Sequence, residues 1–200
     1  KSRKIFKGND KFHKIIQFKD FLNTSKKISP FIWHDSIDEL ESQNKIKTGG
    51  PFIAVSPYSN WKEKDWAIEK YFELFKNDFF KGYTIIFTGI SKDIPNREKF
   101  FKMIDDSSLN IFNLFDWGNL RHMIPIFNQC KFFIGSDSGL MHLAASTNCK
   151  TFALFGPTNE IVYGPWGEPK VIKSLDYPAI NDPLNLPVDK VLNTIKKEIE

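Results

Sequence analysis

Five short apolar runs, set between stretches of helical periodicity, constrain this chain more than any other feature of it. The runs are Phe52–Val55, Tyr83–Thr88, Leu109–Phe112, Lys131–Ile134 and Thr151–Phe155, and none exceeds six residues. Runs this short fit strands, and their lack of polar alternation marks strands buried on both faces. Between them Asp65–Phe75 is predicted to be helical, with Trp66, Ile68, Tyr71, Phe72 and Phe75 on one stripe. Arg97–Ile104, Asn119–Asn128 and Gly139–Ser146 follow as helices, Pro125 kinking the second of these or marking its first turn. Val188–Ile199 closes the chain as an amphipathic helix. Such alternation demands a sheet covered on both faces and joined through right-handed crossovers. The expected class is therefore α/β, a Rossmann-like parallel sheet with helices on both faces.

The first fifty residues read differently. Lys11–Leu22 places Phe12, Ile15, Ile16, Phe21 and Leu22 near helical spacing, whereas Asn23–Thr48 is mostly polar and broken by Pro30. Gly49-Gly50-Pro51 punctuates the end of that stretch. A boundary placed there gives a helix and linker over residues 1–50 and a Rossmann-like domain over 51–200. A hydrophobic content of 41% in 200 residues is enough for a core of that size. No apolar run approaches the roughly 18 to 20 residues that span a bilayer. Lys1-Ser2-Arg3-Lys4 has no apolar stretch after it and no initiator Met before it, as expected of a chain trimmed from something longer and lacking a secretory signal. Cys130 and Cys149 are too few for a disulfide framework or a zinc cluster and suit a reducing compartment. The net charge of +4 is mild, but nine Lys or Arg between Lys1 and Lys27 stand against only Asp10 and Asp20. That run is either a solvated face or a contact for an anionic membrane surface.

In such a sheet, ligands sit outside the carboxyl ends of the strands. Three segments occupy that position. Gly135-Ser136-Asp137-Ser138-Gly139-Leu140-Met141-His142 lies between a strand and a helix, where glycines permit close approach of a ligand and unpaired N–H groups favour a phosphate. Asp137 either caps that helix or takes backbone or hydroxyl hydrogen bonds beside the phosphates, since its charge repels a diphosphate placed against it. His142, about one turn on, reaches a phosphate or ribose oxygen, or is simply packed. The second segment runs from Ser56 to Trp66, where Ser59, Asn60 and Lys64 supply a hydroxyl, an amide and a cation suited to anionic oxygens. As plain structure it is a polar loop with solvated lysines. The third is Phe155-Gly156-Pro157-Thr158-Asn159 and then Tyr163-Gly164-Pro165-Trp166-Gly167, which is turn chemistry with a ligand role open to Thr158.

Other chemistries are excluded by what is missing. The sequence holds no G-x-G-x-x-G dinucleotide fingerprint and no G-x-x-x-x-G-K-[ST] phosphate loop. It holds no Asp-x-Asp pair of the kind that grips a metal–diphosphate. Gly135-Ser136-Asp137-Ser138-Gly139 has the outline of a nucleophile elbow, but such a hydrolase needs a base His late in the chain. Only His142 follows, five residues on.

Together these segments resemble glycosyltransferase family 9, the heptosyltransferases of lipopolysaccharide core assembly. The resemblance rests on Phe133-Ile134-Gly135-Ser136-Asp137-Ser138-Gly139-Leu140-Met141-His142-Leu143-Ala144-Ala145 and continues through Thr151-Phe152-Ala153-Leu154-Phe155-Gly156-Pro157-Thr158 and Gly164-Pro165-Trp166-Gly167. Upstream, Lys64-Asp65-Trp66 looks like the family's Lys-x-Trp, and Leu120 with its helix looks like another family segment. It covers about residues 51–170. It implies the C-terminal half of a GT-B enzyme, two Rossmann-like domains with the reaction between them. On that resemblance Asp137, Ser138, Gly139 and His142 contact the diphosphate and sugar, and Lys64 offsets charge on the leaving nucleoside diphosphate. Ser59 and Asn60 line the same pocket, and Trp117 and Gly118 border the base. The expected reaction is inverting transfer from a nucleotide-diphosphate sugar, heptose above others, to a lipid-linked saccharide acceptor. A cation and helix-end N–H groups stabilise the departing anion, so neither a metal nor another cofactor is expected, and nucleic acid is not an expected partner. The expected location is cytoplasmic, peripheral at the inner face of the membrane.

The chain departs from the family in two respects. The resemblance puts the carboxylate base and the acceptor site in an N-terminal domain, for which residues 1–50 are too short. Alone the chain is expected to bind donor and transfer little. Ser59-Asn60 and Ser138 stand where threonines are common in the heptosyltransferase pattern, leaving the donor open. Two alternatives remain: a stand-alone, non-catalytic module for a nucleotide or sugar phosphate, and a degenerate relative that serves as a structural partner.

Overall fold

The computed structural model describes residues 8–26, 30–47, 49–167 and 185–200, and the backbone of 170–173. Of the basic run, Lys1, Arg3, Lys4, Lys7 and Lys27 lie outside the described residues. The elements in chain order are α1 (Lys14–Phe21), α2 (Ser36–Lys45), β1 (Phe52–Ser56), α3 (Ile68–Phe75), β2 (Thr84–Gly89), α4 (Arg97–Asp105), β3 (Ile111–Phe115), α5 (Leu120–Gln129), β4 (Cys130–Ser136), α6 (Gly139–Ala145), β5 (Lys150–Phe155), α7 (Glu160–Tyr163), β6 (Lys170–Lys173) and α8 (Val188–Ile199). The six strands pair in the order β3-β2-β1-β4-β5-β6, every pair parallel. The chain thus leaves β1 first to one side and then to the other. The strand order reverses between β1 and β4, the point at which a Rossmann-like sheet opens a crevice.

Strand periodicity of two sorts the core into layers. Ile53 and Val55 of β1, Phe132 and Ile134 of β4, and Phe152 and Leu154 of β5 join Trp66, Phe72, Phe100, Val191 and Ile195 on one face. Phe52, Ala54, Phe133, Ala153 and Phe155 point the other way, onto Ile124, Phe127, Met141 and Leu143 of α5 and α6. Each large side chain buried in this way contributes about 1.5–3 kcal/mol, so the two layers dominate the stability. Trp66 is fully buried, and its indole N–H donates to the Leu186 carbonyl at 2.9 Å, tying the approach to α8 against the head of α3.

Several elements differ from expectation, each for a physical reason. The polar stretch before Pro51 contains α2, which opens with a capping box. Asp35 accepts from the Ile37 and Asp38 amides at 2.9 and 3.1 Å, and Asp38 accepts from the Asp35 amide at 2.9 Å. Its buried face is polar: Asp38 and Ser42 are buried while Ile37 and Leu40 are exposed, so no apolar stripe announces it. The Ser42 hydroxyl lies 2.7 and 2.8 Å from the Asp38 and His122 carbonyls, and Ile46 enters the core under α5. Residues 36–46 therefore share a core with the sheet, on the far side of the Gly49–Pro51 punctuation. The helix expected from Asp65 begins at Ile68, preceded by a 3₁₀ turn at Lys62–Lys64. β3 starts at Ile111, two residues after the expected Leu109, and α5 runs through Pro125, which leaves the Arg121 carbonyl without its helical donor. The short elements α7 and β6 have no counterpart in the expected set.

Candidate functional site

Parallel pairing of Ser56 with Gly135 brings the exits of β1 and β4 side by side. A Cβ on Gly135 would lie 2.5 Å from the Ser56 carbonyl oxygen, so this approach requires glycine. Beyond it lies a cleft of about 590 Å³, walled by the exits of β1, β2, β3 and β4. Ser59, Asn60, Trp117, Gly118, Ser138 and Gly139 line it. Among the other lining residues are Asp93 and Asp116, which sequence reasoning did not pick out. The Ser56 and Ser138 hydroxyls are buried and have no protein partner.

Lys64, Asp137, His142 and Thr158 do not line that cleft; they form a cluster beside it. Lys64 Nζ donates to Asp137 Oδ2 at 2.8 Å, and the Thr158 hydroxyl donates to the same oxygen at 2.8 Å. The Asp137 side chain is 7% exposed and that of Lys64 17%, so the pair is shielded yet reachable. His142 Nε2 stands 3.9 Å from Asp137 Oδ1, beyond hydrogen-bond distance, with its ring half-exposed. Partial burial lowers the pKa of His142 below the ordinary value, offset in part by Asp137 and reinforced by His13 and Lys64. The shift favours the neutral imidazole, which is both a donor and an acceptor.

One local expectation is corrected. Asp137 does not cap α6: the N-cap position is Ser138, in extended backbone, and no side chain caps the helix. The carboxylate is drawn sideways instead by a cation and a hydroxyl from the exits of β1 and β5.

The loop carrying Lys64 is held from within. Asp65 Oδ1 accepts from the Ser59 amide at 2.8 Å, and the Ser59 hydroxyl bridges the Trp61 carbonyl and amide at 2.8 and 3.2 Å. Lys64 Nζ also lies 5.2 Å from the centre of the Trp61 ring. On the opposite wall, Asp116 adopts a left-handed φ of 58° and accepts from the Ser91 amide at 2.8 Å; the Ser91 side chain and this amide lower its pKa. Gly118 follows at φ 69°, and a Cβ there would meet the His122 ring at 2.8 Å. An Asp-x-Gly-Asn turn at a strand exit was the available signal for this wall. The third segment is joined by α1: His13 Nε2 donates to the Gly164 carbonyl at 2.7 Å, and its ring packs on Trp166 at 4.9 Å.

A family model for glycosyltransferase family 9 (heptosyltransferase) matches residues 17–183. The chain belongs to glycosyltransferase family 9. It is 27% identical over 134 residues to lipooligosaccharide heptosyltransferase 2 of Haemophilus influenzae, covering 66% of this chain and 39% of that protein. To lipooligosaccharide heptosyltransferase 2 of Campylobacter jejuni it is 25% identical over 161 residues, covering 77% and 50%. To lipopolysaccharide heptosyltransferase 2 of Escherichia coli it is 28% identical over 120 residues, covering 59% and 34%. The chain spans half or less of the length of these curated relatives. Among solved structures, E. coli ADP-heptose lps heptosyltransferase II superposes with a TM-score of 0.74 at 22% identity, over 88% of this chain and 55% of that one. A family 9 glycosyl transferase from Veillonella parvula gives 0.81 at 19% identity, over 94% and 60%. At those identities the structural likeness speaks for the fold, and the Rossmann-like α/β class stands. No helix among the described residues is long and apolar enough to cross a membrane. Likewise, no group of three or more His, Cys, Asp or Glu among them is placed to hold a metal ion.

Proposed function

We propose that this chain is the donor-binding half of an inverting heptosyltransferase of GT-B type, taking a nucleotide-diphosphate heptose and serving a lipid-linked saccharide acceptor. The observation that carries this reading is the Lys64–Asp137–Thr158 cluster, set beside the switch-point cleft at the exits of β1, β4 and β5. The base and ribose enter the cleft, bounded by Trp117 and Gly118. The diphosphate lies towards Ser59, Asn60, Ser138 and Gly139, where the uncapped head of α6 and two unpartnered serine hydroxyls offer donors.

Cleaving the sugar–phosphate bond leaves an anion on the nucleoside diphosphate. An ammonium has three donors, and Asp137 uses one of them, so Lys64 keeps two for phosphate oxygens. Asp137 fixes the direction of that cation while Thr158 fixes Asp137. A cation held in place before reaction needs no reorganisation as charge develops. Neutral His142 donates to a phosphate or sugar oxygen. The carboxylate that deprotonates the acceptor belongs to an upstream domain, as does the acceptor site. Work on lipid-linked acceptors places the protein at the cytoplasmic face of the membrane, in peripheral contact with it.

The test is a thermal-shift titration against ADP, UDP, GDP and ADP-heptose with EDTA present. A ligand at 100 times its dissociation constant adds about 2.7 kcal/mol of stability. A response to one nucleotide supports the reading and names the base. Silence to all four, both in this chain and in a protein carrying an upstream Rossmann-like half, refutes it. Binding without heptose transfer by the two-domain protein would favour the non-catalytic module instead.

A further inference from the structure

We propose that Asp65 is a positioning residue of the donor site: it clasps the Ser59 amide and so holds Lys64 on Asp137 beside the cleft. This rests on the donor-site reading and deepens it. Asp65 is 6% exposed, and its two oxygens are treated unequally. Oδ1 takes the Ser59 amide at 2.8 Å, closing residues 59–65 into a loop, while Oδ2 is buried without a hydrogen bond. Inside the loop, Ser59 grips Trp61 through both its carbonyl and its amide, and the Trp61 ring lies under the Lys64 ammonium. Ser59 and Asn60 form cleft wall at one end, and Lys64 meets Asp137 at the other. One buried carboxyl thus ties the neutral wall of the cleft to its cation. Loop closure through a side chain adjacent in sequence to Lys64 leaves that lysine little freedom to leave Asp137.

The unpartnered Oδ2 gives the clasp a second property. Burial pushes the Asp65 carboxyl up to about 7, against the pull of the Ser59 amide. The charged and titratable groups around it are Asp93 from the turn after β2, Lys62 and Lys64 on its own segment, Glu69 of α3 and Lys99 of α4, which line a surface pocket with it, and the phenols of Tyr58 and Tyr71. A diphosphate drawn to Lys64 adds negative charge nearby and favours the protonated carboxyl further. Nucleotide binding therefore takes up a proton at Asp65, and affinity rises as pH falls through neutrality. His142 and the nucleotide phosphate titrate as well, so the contribution of Asp65 is the difference between the native chain and Asp65→Asn. That variant keeps an acceptor oxygen for Ser59 and cannot ionise.

The experiment has two arms on the whole chain. The first follows the Ser59 backbone amide by 1H–15N NMR from pH 5 to 9, without ligand. It should titrate near neutrality in the native chain and stay flat in Asp65→Asn. A flat Ser59 amide in the native chain overturns the proposal. The second arm measures ADP affinity by calorimetry across the same range. Asp65→Ala should lose about fivefold, the size of one ordinary hydrogen bond of about 1 kcal/mol. Asp65→Asn should stay within about twofold of native at pH 6 and bind increasingly better than native towards pH 8. A folded Asp65→Ala with native affinity, or an Asp65→Asn profile parallel to native, overturns the proposal too. A native chain silent to ADP whose Ser59 amide still titrates sinks the donor-site reading and reduces Asp65 to a clasp within a loop.

Discussion

Removal of the Lys64 ammonium tests the site most directly. In Lys64→Ala the Asp137 carboxylate, 7% exposed, keeps only the Thr158 hydroxyl at 2.8 Å. Two losses combine on nucleotide binding. The charge-assisted hydrogen bond from Lys64 to a phosphate oxygen is worth about 1.5–3 kcal/mol, or roughly 10- to 150-fold in affinity. In addition, a carboxylate no longer balanced by a cation now faces the incoming diphosphate, which drives the loss towards the upper end. Calorimetry with ADP on Lys64→Ala, Asp137→Asn and the double variant separates the two. If Asp137 mainly aims Lys64, the lysine matters less once the carboxylate is gone, and the cycle shows a coupling of about 1 kcal/mol between them. Lys64→Arg should restore part of the affinity, since the charge returns with a different reach and shape. ADP affinity within twofold of native in Lys64→Ala would refute the assignment, and additive single losses would refute the aiming role of Asp137.

Four other outcomes are expected. His142→Ala weakens nucleotide binding by about 1.5–3 kcal/mol if the imidazole meets a charged phosphate, with calorimetry as the readout. Because the folded state depresses the His142 pKa, this residue's contribution to stability is present above the ordinary histidine value and is lost as pH falls through the folded one; denaturation of native and His142→Gln chains between pH 5 and 8 should show their stabilities converging towards acid. Gly135→Ala forces a Cβ against the Ser56 carbonyl at 2.5 Å and should cost about 1–3 kcal/mol in chemical denaturation, whereas an unchanged midpoint would mean that β1 and β4 yield easily. Asp38→Ala removes half of the α2 capping box together with contacts at 3.3 and 3.4 Å to Arg121 and His122, so about 1–2 kcal/mol should be lost and α2 amides should exchange faster; full protection would show that the helix is held by other contacts.

What was legible in the sequence follows from how each element is buried. β1, β2, β4 and β5 are covered on both faces, so their composition alone betrays them, and the Gly135–His142 loop between β4 and α6 was visible for the same reason. β3 is an edge strand, only partly buried and interrupted by Asn113, so its run suggests an end at Phe112 rather than Phe115. That shift hid the Asp116 turn and the acidic wall of the cleft with it. α2 escaped because it buries Asp38 and Ser42 and exposes Ile37 and Leu40, the reverse of the usual stripe. The Lys64–Asp137 pair spans 73 residues, and no local pattern encodes it. It exists because β1 and β4 are neighbours and Ser56 lies opposite Gly135, a fact of strand order. Periodicity reports what a residue is buried against; it is silent on which loops the topology brings together.

The cleft also carries an internal direction that follows from this strand order. Its β2 and β3 side presents two carboxyl groups, Asp93 and Asp116, whereas the β1, β4 and β5 side adjoins the Lys64 ammonium. The Ser91 side chain and amide lower the pKa of Asp116, which favours its ionised form. A nucleoside diphosphate placed with its phosphates towards Asp93 and Asp116 would meet like charge, and one placed the other way meets a cation and uncapped helix N–H groups. Hydroxyl or amino donors of the nucleoside, in contrast, suit the acidic side. Charge reversal checks this: Asp116→Lys should leave ADP binding intact or strengthen it by attraction while Lys64→Glu abolishes it. Equal damage from both changes would show that the nucleotide does not lie in the assigned direction.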